Sequence, residues 1–315
     1  MARNKNMHKA KKAKNDEFYT QLSDIENELR HYRKHFKGKT VYCNCDDPNI
    51  SNFFKFFSLN FDKLGLKRLI TTCYKSTDAN LFSQKKAKKG LLIDFQGASE
   101  MYGVPSPEDM EITELKGDGD FRSHESIELL KQADIVVTNP PFSLFREYID
   151  QLMEYDKKFL VVGNNNAIKY KEIFRYIKQA RMWLGVNSNK TMTFELPDDY
   201  EKWSEIINGV KYGNVPAISW FTNMKHNKQN EELILYKRYN PRDYPKYDNL
   251  DAIEVSKVNE IPVDYNGLMG VPITFMSKYN STQFELVGFR HGSDGKDLTI
   301  NGRIPYTRLI IKHKR

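Results

Sequence analysis

Two apolar segments that flank an amphipathic helix between residues 134 and 164 most constrain the fold. The segments "DIVVTN" and "KKFLVVGN" are continuous runs of strand-forming residues, which is typical of strands buried on both faces of a parallel sheet. Between them, apolar side chains recur at helical spacing: Phe145, Tyr148, Ile149, Leu152 and Met153. The pattern predicts a strand–helix–strand unit, and parallel strands need such a crossover.

A second unit precedes it, with the strand "TVYCNC", a helix over "NISNFFKFFSLNFDKLG" that ends at Gly65, and the strand "LKRLITTCY". An earlier amphipathic helix places Ile25, Leu29, Tyr32 and Phe36 on one face. Residues 75–90 read as a loop before the strand "LLIDFQG", and "SHESIELLKQA" reads as a helix.

Beyond residue 180 the segments "RMWLGV", "TMTFELP" and "AISWFTNM" predict strands without long helices between them, and so an antiparallel edge. We therefore predict an α/β fold: a doubly wound, mostly parallel sheet with an antiparallel edge. Residues 226–315, rich in Lys, Arg, Asn, Tyr and Pro, predict a smaller, irregular C-terminal module.

Charge and composition limit the function classes. The net charge of +8 favours a polyanionic partner. The first fourteen residues are either a basic arm that follows phosphates or a solvated tail; their cations are Arg3, Lys5, Lys9, Lys11, Lys12 and Lys14. No apolar run is long enough to cross a membrane or to act as a secretion signal, so the cytoplasm is expected.

The three cysteines predict neither a disulfide framework nor a metal site. Cys43 and Cys45 are two residues apart in a strand-like run, so they are expected to point to one face as small buried residues.

The turn "NPPF" at residues 139–142 is the strongest functional signal. It lies where a strand ends and a helix begins, at the edge where parallel sheets bind ligands, and Ser143 is placed to cap that helix. The Asn139 side-chain oxygen and a proline carbonyl offer two acceptors to a group with two N–H donors, such as an exocyclic amine. Phe142 can stack on the ring that carries the amine, and a nucleobase fits these features.

This turn resembles the Asn/Asp-Pro-Pro-aromatic motif of amino-group methyltransferases that use S-adenosylmethionine. The resemblance implies a Rossmann-like methyltransferase fold in which Asn139, Pro140 and Phe142 are catalytic and Pro141 contacts the substrate. Phe194, in "TMTFELP", is placed where this family presents a second aromatic to an extruded base, or is a core residue.

The same resemblance implies a cofactor site. In "DPNISNF", Asp47 and Pro48 match the turn after the first strand, with Ser51 where glycine is usual; Asp47 is alternatively a turn or cap residue. In "EFYTQ", Tyr19 and Thr20 match a Tyr-Thr-Pro element with glutamine in place of proline. In "GDGDF", the expected contacts of the cofactor's adenine are Asp120, with Asp118 as the alternative, and Phe121; an ordinary Gly-Asp turn is the other reading. The segment "ITTCYKS" offers no acid for the ribose.

Over nearly the whole chain, "DEFYTQ", "VYCNCDDP", "GDGDFRS", "DIVVTNPPFSLFREY" and "DYNGLMGVPITF" resemble the EcoRI-type adenine-specific DNA methyltransferases. The resemblance implies methyl transfer to N6 of an extruded adenine in double-stranded DNA, within a palindrome of the GAATTC kind. It implies the modification half of a restriction–modification system, with a restriction endonuclease as functional partner.

Residues 1–225 are expected to form the catalytic domain and 226–315 a target-recognition module, in a monomer. Two alternatives stay open: an RNA-base or protein-glutamine methyltransferase, and an inactive DNA-binding protein on the same fold.

Overall fold

A computed structural model gives the structure of the protein for residues 19–45, 51–73, 89–97, 112–196, 203–290 and 297–314. Within these ranges the chain forms a large sheet, a smaller sheet and seven α-helices. The predicted N-terminal arm and residues 75–88 of the predicted loop lie outside the described residues.

The large sheet contains eleven described strands in the order β1-β9-β11-β7-β6-β2-β3-β4-β5, with β8 and β10 also paired to β11. Their bounds are β1 Tyr19–Thr20, β2 Thr40–Asn44, β3 Arg68–Cys73, β4 Leu91–Phe95, β5 Ile112–Glu114, β6 Ile135–Thr138, β7 Lys158–Asn164, β8 Trp183–Leu184, β9 Lys190–Glu195, β10 Glu205–Ile207 and β11 Val210–Thr222.

Parallel pairing is confined to the centre of this sheet, where β3, β2, β6 and β7 are neighbours. On one side β11 pairs antiparallel with both β7 and β9, which confirms the predicted antiparallel edge. On the other side β4 pairs antiparallel with β3, and β5 with β4. The sheet is thus less parallel than predicted, because antiparallel strands extend both of its edges.

Helices cover both faces of the sheet. Their bounds are α1 Leu22–Leu29, α2 Arg33–Phe36, α3 Asn52–Leu59, α4 Phe61–Leu64, α5 His124–Gln132, α6 Phe145–Glu154 and α7 Lys171–Lys178. Alternate strand residues enter two hydrophobic clusters, as the period of a strand requires. Val136 and Val161 join the first core with α5, α6 and α7, whereas Val137 and Val162 join the second core with α1 to α4.

Sequence periodicity located the buried helix faces well. The predicted N-terminal helix is broken into α1 and α2, yet its four apolar residues are all fully buried in the second core. Gly65 ends α4 in the left-handed conformation at φ 63°, as predicted.

Cys45 is a correction to the sequence analysis. It follows β2 with φ 75°, a left-handed conformation that ends the strand and its alternation. Cys43 is therefore buried in the second core, whereas Cys45 packs against the first, and the two do not share a face.

The C-terminal region forms a second sheet of four strands, ordered β12-β13-β15-β14, where an irregular module was predicted. Its bounds are β12 Ala252–Glu254, β13 Leu268–Pro272, β14 Phe284–Arg290 and β15 Arg308–His313. Most of its buried side chains belong to the first core, whereas Ala252 and Ile310 belong to a small separate cluster. The ring of Phe289 lies 5.2 Å from that of Phe174 on α7. The two sheets therefore share one core.

Candidate active site

The candidate site lies at the carboxyl edge of the central parallel strands, where β2 and β6 end side by side. The Thr138 hydroxyl, at the end of β6, donates a hydrogen bond to the backbone carbonyl of Asn44, at the end of β2. The Tyr148 hydroxyl, from α6, donates to the Asn44 side-chain oxygen. All three residues are buried, so this network fixes the position from which the chain leaves β6.

The turn of residues 139–142 follows directly. Asn139 is half-buried, with its side-chain oxygen shielded from solvent, and Pro140 is buried. The Pro141 carbonyl accepts a hydrogen bond from Leu144 N at 3.0 Å, which forms the short 3-10 turn Phe142–Leu144 before α6. Within the described chain, no backbone N–H donates to the Pro140 carbonyl. Of the two proline carbonyls, that of Pro140 is thus the one available beside Asn139.

Ser143 does not cap the helix as predicted. It lies inside the 3-10 turn, and the N-cap position of α6 is taken by Leu144, which makes no side-chain capping bond. The entry angle of α6 is set by the 3-10 turn instead. The half-buried Phe142 packs against the second core, so one part of its ring is anchored in the protein.

Tyr19 and Thr20, the predicted cofactor residues of β1, lie next to the start of the helix that follows β2. Asn52, the first residue of α3, donates its side-chain N–H to the Thr20 carbonyl at 2.9 Å. Ser51 caps α3 by accepting a hydrogen bond from Phe54 N at 3.2 Å. The predicted cofactor residues Asp47 and Pro48, between β2 and α3, lie outside the described residues.

Two buried polar atoms at this place fit a polar ligand. Among the described residues, the Thr20 hydroxyl and the Gln21 side-chain nitrogen have no hydrogen-bond partner. A buried polar group without a partner costs roughly 1–3 kcal/mol, so such groups usually meet a ligand or water. The amino-acid part of S-adenosylmethionine, with its carboxylate and ammonium, offers partners to both.

The predicted adenine contact, Asp120, is held by its neighbours. Arg122 donates to Asp120 Oδ1 through Nε at 2.9 Å and to Oδ2 through Nη2 at 2.7 Å. The Asp118 carboxylate accepts from Asp120 N at 3.0 Å. The guanidinium of Arg122 lowers the pKa of the Asp120 carboxyl, which therefore stays an ionised acceptor. Asp118 thus supports the turn that presents Asp120.

Phe121 is 5% exposed and its ring lies edge-on to Tyr148, with 5.1 Å between ring centroids. Gln151, on α6, donates to the Phe121 carbonyl at 3.1 Å. Tyr148 therefore touches two predicted parts of the site: its ring meets Phe121, and its hydroxyl binds Asn44 beside the Asn139 turn.

Sequence reasoning assigned no role to Asn44 and treated Tyr148 only as part of an apolar helix face. The Tyr148 hydroxyl on that apolar face was the sequence signal for this contact, because a buried tyrosine usually has a hydrogen-bond partner.

Phe194 lies in the core. It pairs with Thr20 across β9 and β1, is fully buried, and belongs to the second core. In this conformation its ring offers no exposed face to a base, so its role as a substrate contact stays a prediction.

Metal and membrane signals are absent from the residues that the structure covers. No cluster of three or more His, Cys, Asp or Glu there could hold a metal ion. No helix within the same ranges has the length and apolar character needed to cross a membrane.

The central parallel strands and the Asn-Pro-Pro-Phe turn at their carboxyl edge are the features of an amino-group methyltransferase. Residues 6–314 match the family described as adenine-specific methyltransferase EcoRI. The chain therefore belongs to this family, and it is an adenine-specific DNA methyltransferase.

Three relatives cover nearly the whole chain. The type II methyltransferase M.EcoRI of Escherichia coli is 52% identical over 100% of this chain and 98% of its own length. M.MgeORF184P of Mycoplasma genitalium is 42% identical, and M.MpnI of Mycoplasma pneumoniae is 40% identical, each over 98% of both chains. No solved structure matches the chain.

Proposed function

We propose that the protein transfers a methyl group from S-adenosylmethionine to N6 of an adenine that is extruded from double-stranded DNA. We further propose that it protects DNA as the modification half of a restriction–modification system. The observation that carries the proposal is the turn of residues 139–142, held beside Asn44 at the carboxyl edge of β6. The family and the type II relatives support it.

The turn acts on the amine through two acceptors. The Asn139 side-chain oxygen and the Pro140 carbonyl each accept one hydrogen of the adenine amine, which orients its lone pair away from the ring plane. The nitrogen becomes a better nucleophile without a strong base, and after methyl transfer it would lose one of its two protons to water. Because prolines fix the backbone angles, the two oxygens are preorganised for this geometry.

Phe142 holds the extruded base. Unstacking and unpairing an adenine cost a few kcal/mol, and stacking on an aromatic ring contributes roughly 1–3 kcal/mol per base. Packing of Phe142 against the second core keeps the ring in place before the base arrives. Pro141 is proposed as a further contact to the substrate base, and Phe194 as a second aromatic contact.

The proposed cofactor residues are Tyr19, Thr20, Asp47, Pro48, Asp120 and Phe121. Thr20 and Gln21 bring the buried polar atoms described above, and Asp120 is an ionised acceptor for the adenine amine of the cofactor. When bound, the cofactor supplies an electrophilic methyl group on its sulfonium. The geometry suits a Rossmann-like methyltransferase in which the cofactor and the target base meet at the same edge of the sheet.

The small sheet is proposed to read the DNA. We assign residues 1–225 to catalysis and residues 226–315 to target recognition. The recognition module is proposed to read base edges in the major groove, and the recognition site is proposed to be a palindrome of the GAATTC kind. One strand is modified at a time, so a monomer suffices. The cognate restriction endonuclease is a functional partner that acts on the same site.

Sequencing of methylated adenines tests the function. The chain is expressed in bacteria without other adenine methyltransferases, and N6-methyladenine is mapped across the genome. We expect one fully methylated motif, and none with Asn139→Ala. A tritium-transfer assay with plasmid DNA, RNA and protein separates the alternatives: transfer to RNA or protein alone would contradict the proposal, as would cofactor binding without transfer to any of the three.

A further inference from the structure

A groove lies at the amino edge of the large sheet, opposite the candidate active site. Two overlapping clefts of about 430 and 410 Å3 form it, and both are lined by His35, Asp156, Lys157, Lys158 and Met224. We name the joint surface the amino-edge groove; its further cationic and acidic members are Lys39, Asp134, Arg181 and Lys225. β7 begins at Lys158 and β6 at Ile135, so the groove lies where these strands start.

The groove carries an excess of positive charge. Five of its side chains are cationic, and only Asp134 and Asp156 are acidic. Lys39 pairs with Asp134 at 3.2 Å, which leaves the remaining cations without that carboxylate. Lys158, Arg181 and Lys225 are exposed, and among the described residues none of them forms a salt bridge with a carboxylate. Three positive charges are therefore available to an anionic partner.

The backbone beneath these charges is fixed. The Lys157 ammonium donates to the carbonyls of Lys131 at 2.9 Å and Ala133 at 2.8 Å, which ties the start of β7 to the end of α5. A ring nitrogen of His35 lies 2.9 Å from the Lys225 carbonyl, which ties α2 to the end of β11. These hydrogen bonds fix the backbone that lines the groove, while the charged ends of Lys158, Arg181 and Lys225 remain in solvent.

The strands between the two edges keep the groove away from the substrate duplex. β7 has seven residues, and at about 3.3 Å per residue it spans roughly 20 Å. The Asn139 turn follows β6, whose Ile135 and Thr138 pair with Lys158 and Val161 of β7. A target adenine at this turn therefore lies about four residues, roughly 13 Å, along the strands from the groove, at the opposite edge of the sheet. The same straight segment of DNA cannot reach both surfaces.

We propose that the amino-edge groove binds the phosphate backbone of a second segment of double-stranded DNA, without reading its sequence. The exposed Lys158, at the start of β7, and Lys225, after β11, suit the repeated charges of a backbone, because each is a flexible point charge that needs no fixed orientation. Base reading needs several planar donors and acceptors that enter a groove. On this surface the Asn223 amide already bonds to the backbone of Phe159 and Lys157, so the planar group it offers is the Arg181 guanidinium. Engagement of a second segment keeps the enzyme on DNA when the first segment is released.

The test uses the full chain with its active site already occupied. A short cognate duplex and sinefungin, a non-reactive cofactor analogue, are added to saturation, and binding of a fluorescent noncognate 30-base-pair duplex is then followed by anisotropy. Sedimentation velocity counts the duplexes per protein. Lys158→Glu/Arg181→Glu/Lys225→Glu is compared with the charge-preserving control Lys158→Arg/Arg181→Lys/Lys225→Arg, and Lys158→Gln/Lys225→Gln serves as a milder variant.

We expect the wild-type chain and the charge-preserving control to bind a second duplex, with affinity that falls steeply as salt is raised. Charge reversal should weaken that binding by at least about tenfold and lower its salt slope by about 2 to 3, since up to three phosphate contacts are lost. Methyl transfer to the short duplex should stay within about twofold in all variants, which separates this proposal from the proposed function. A single duplex per wild-type protein, or reversal variants that bind the second duplex unchanged, would overturn it.

Discussion

The planar guanidinium of Arg122 donates hydrogen bonds to both carboxylate oxygens of Asp120, from Nε to Oδ1 at 2.9 Å and from Nη2 to Oδ2 at 2.7 Å. Two parallel hydrogen bonds define the orientation of a carboxylate better than one. The same guanidinium also reaches Glu147 on α6 at 3.3 Å. The acid proposed to hold the cofactor's adenine is thereby attached to the helix that follows the turn of residues 139–142.

For Arg122→Ala we expect the pKa of Asp120 to rise, because the interaction that lowers it is removed. The pair's contribution to folding is present above the ordinary carboxyl value of 3.8 and is lost as the pH falls through the lower folded value. Cofactor affinity should fall several-fold at neutral pH. Carboxyl NMR titration and calorimetry check both expectations, and Arg146→Ala on α6 is the matched control. An unchanged Asp120 titration would refute the assignment.

Asn139→Ala should lower the single-turnover rate of methyl transfer by about a hundredfold or more, because it removes an acceptor that acts on the reacting nitrogen. DNA affinity should change little, since phosphate contacts supply most of it. Quench-flow rates are compared with gel-shift affinities for the same duplex. Equal losses in both measurements would mean that Asn139 acts in binding and not in the chemical step.

Phe142→Ala should weaken capture of the extruded base, because roughly 1–3 kcal/mol of stacking is lost. With 2-aminopurine at the target position, fluorescence on binding reports how far the base leaves the stack. Phe142→Trp keeps a flat ring and serves as the control. We expect a smaller rise with alanine than with tryptophan or the wild type; an undiminished rise with alanine would remove Phe142 from the proposed site.

The buried hydrogen bonds of Glu28 are expected to stabilise the fold. It is fully buried on α1, where its carboxylate accepts from Tyr32 OH at 2.9 Å, Val186 N at 2.8 Å and Asn187 N at 2.7 Å. Glu28→Ala leaves buried donors unpaired, so the free energy of unfolding should fall by about 3 kcal/mol. Urea denaturation measures it. The exposed neighbour Glu26→Ala should stay within about 0.5 kcal/mol, and an equal effect in both variants would contradict the role of the buried bonds.

His226 predicts a pH dependence of stability. Burial lowers the pKa of His226 from 6.5 to about 4. Between these two pH values the unfolded chain therefore binds a proton at this residue, whereas the folded chain does not. Its stabilising contribution is present above pH 6.5 and is lost as the pH falls from there toward 4.

Between pH 7.5 and 5.5 this residue should account for a loss of about 1 kcal/mol. Urea unfolding of His226→Gln at the two pH values should lack that loss. His124→Gln, on an exposed side chain of α5, should retain it. If the His226 variant keeps the full pH dependence, another group is responsible.

The sequence predicted the parts of the fold that local patterns control. The face of α6 and the left-handed Gly65 follow from spacing and from the conformational freedom of glycine. The antiparallel pairing of β3 with β4 did not follow, because strand direction depends on contacts across a long connection. The small sheet was missed because its short strands lie between polar segments rich in Lys and Asn.

For the site, short motifs pointed to the turn of residues 139–142 and to Asp120, since each has a local chemical signature. The bonds from Thr138 and Tyr148 to Asn44 join residues about 100 positions apart, which no local pattern encodes. The burial of Phe194 likewise depends on the pairing of β9 with β1.

The contact between Phe174 and Phe289 has a consequence for how the small sheet, proposed to read the DNA, is held. Because both sheets contribute side chains to the first core, neither sheet keeps its packing when the other unfolds. Calorimetry of the intact chain should therefore show a single heat-absorption peak. Side-chain packing would then set the distance between the small sheet and the turn of residues 139–142.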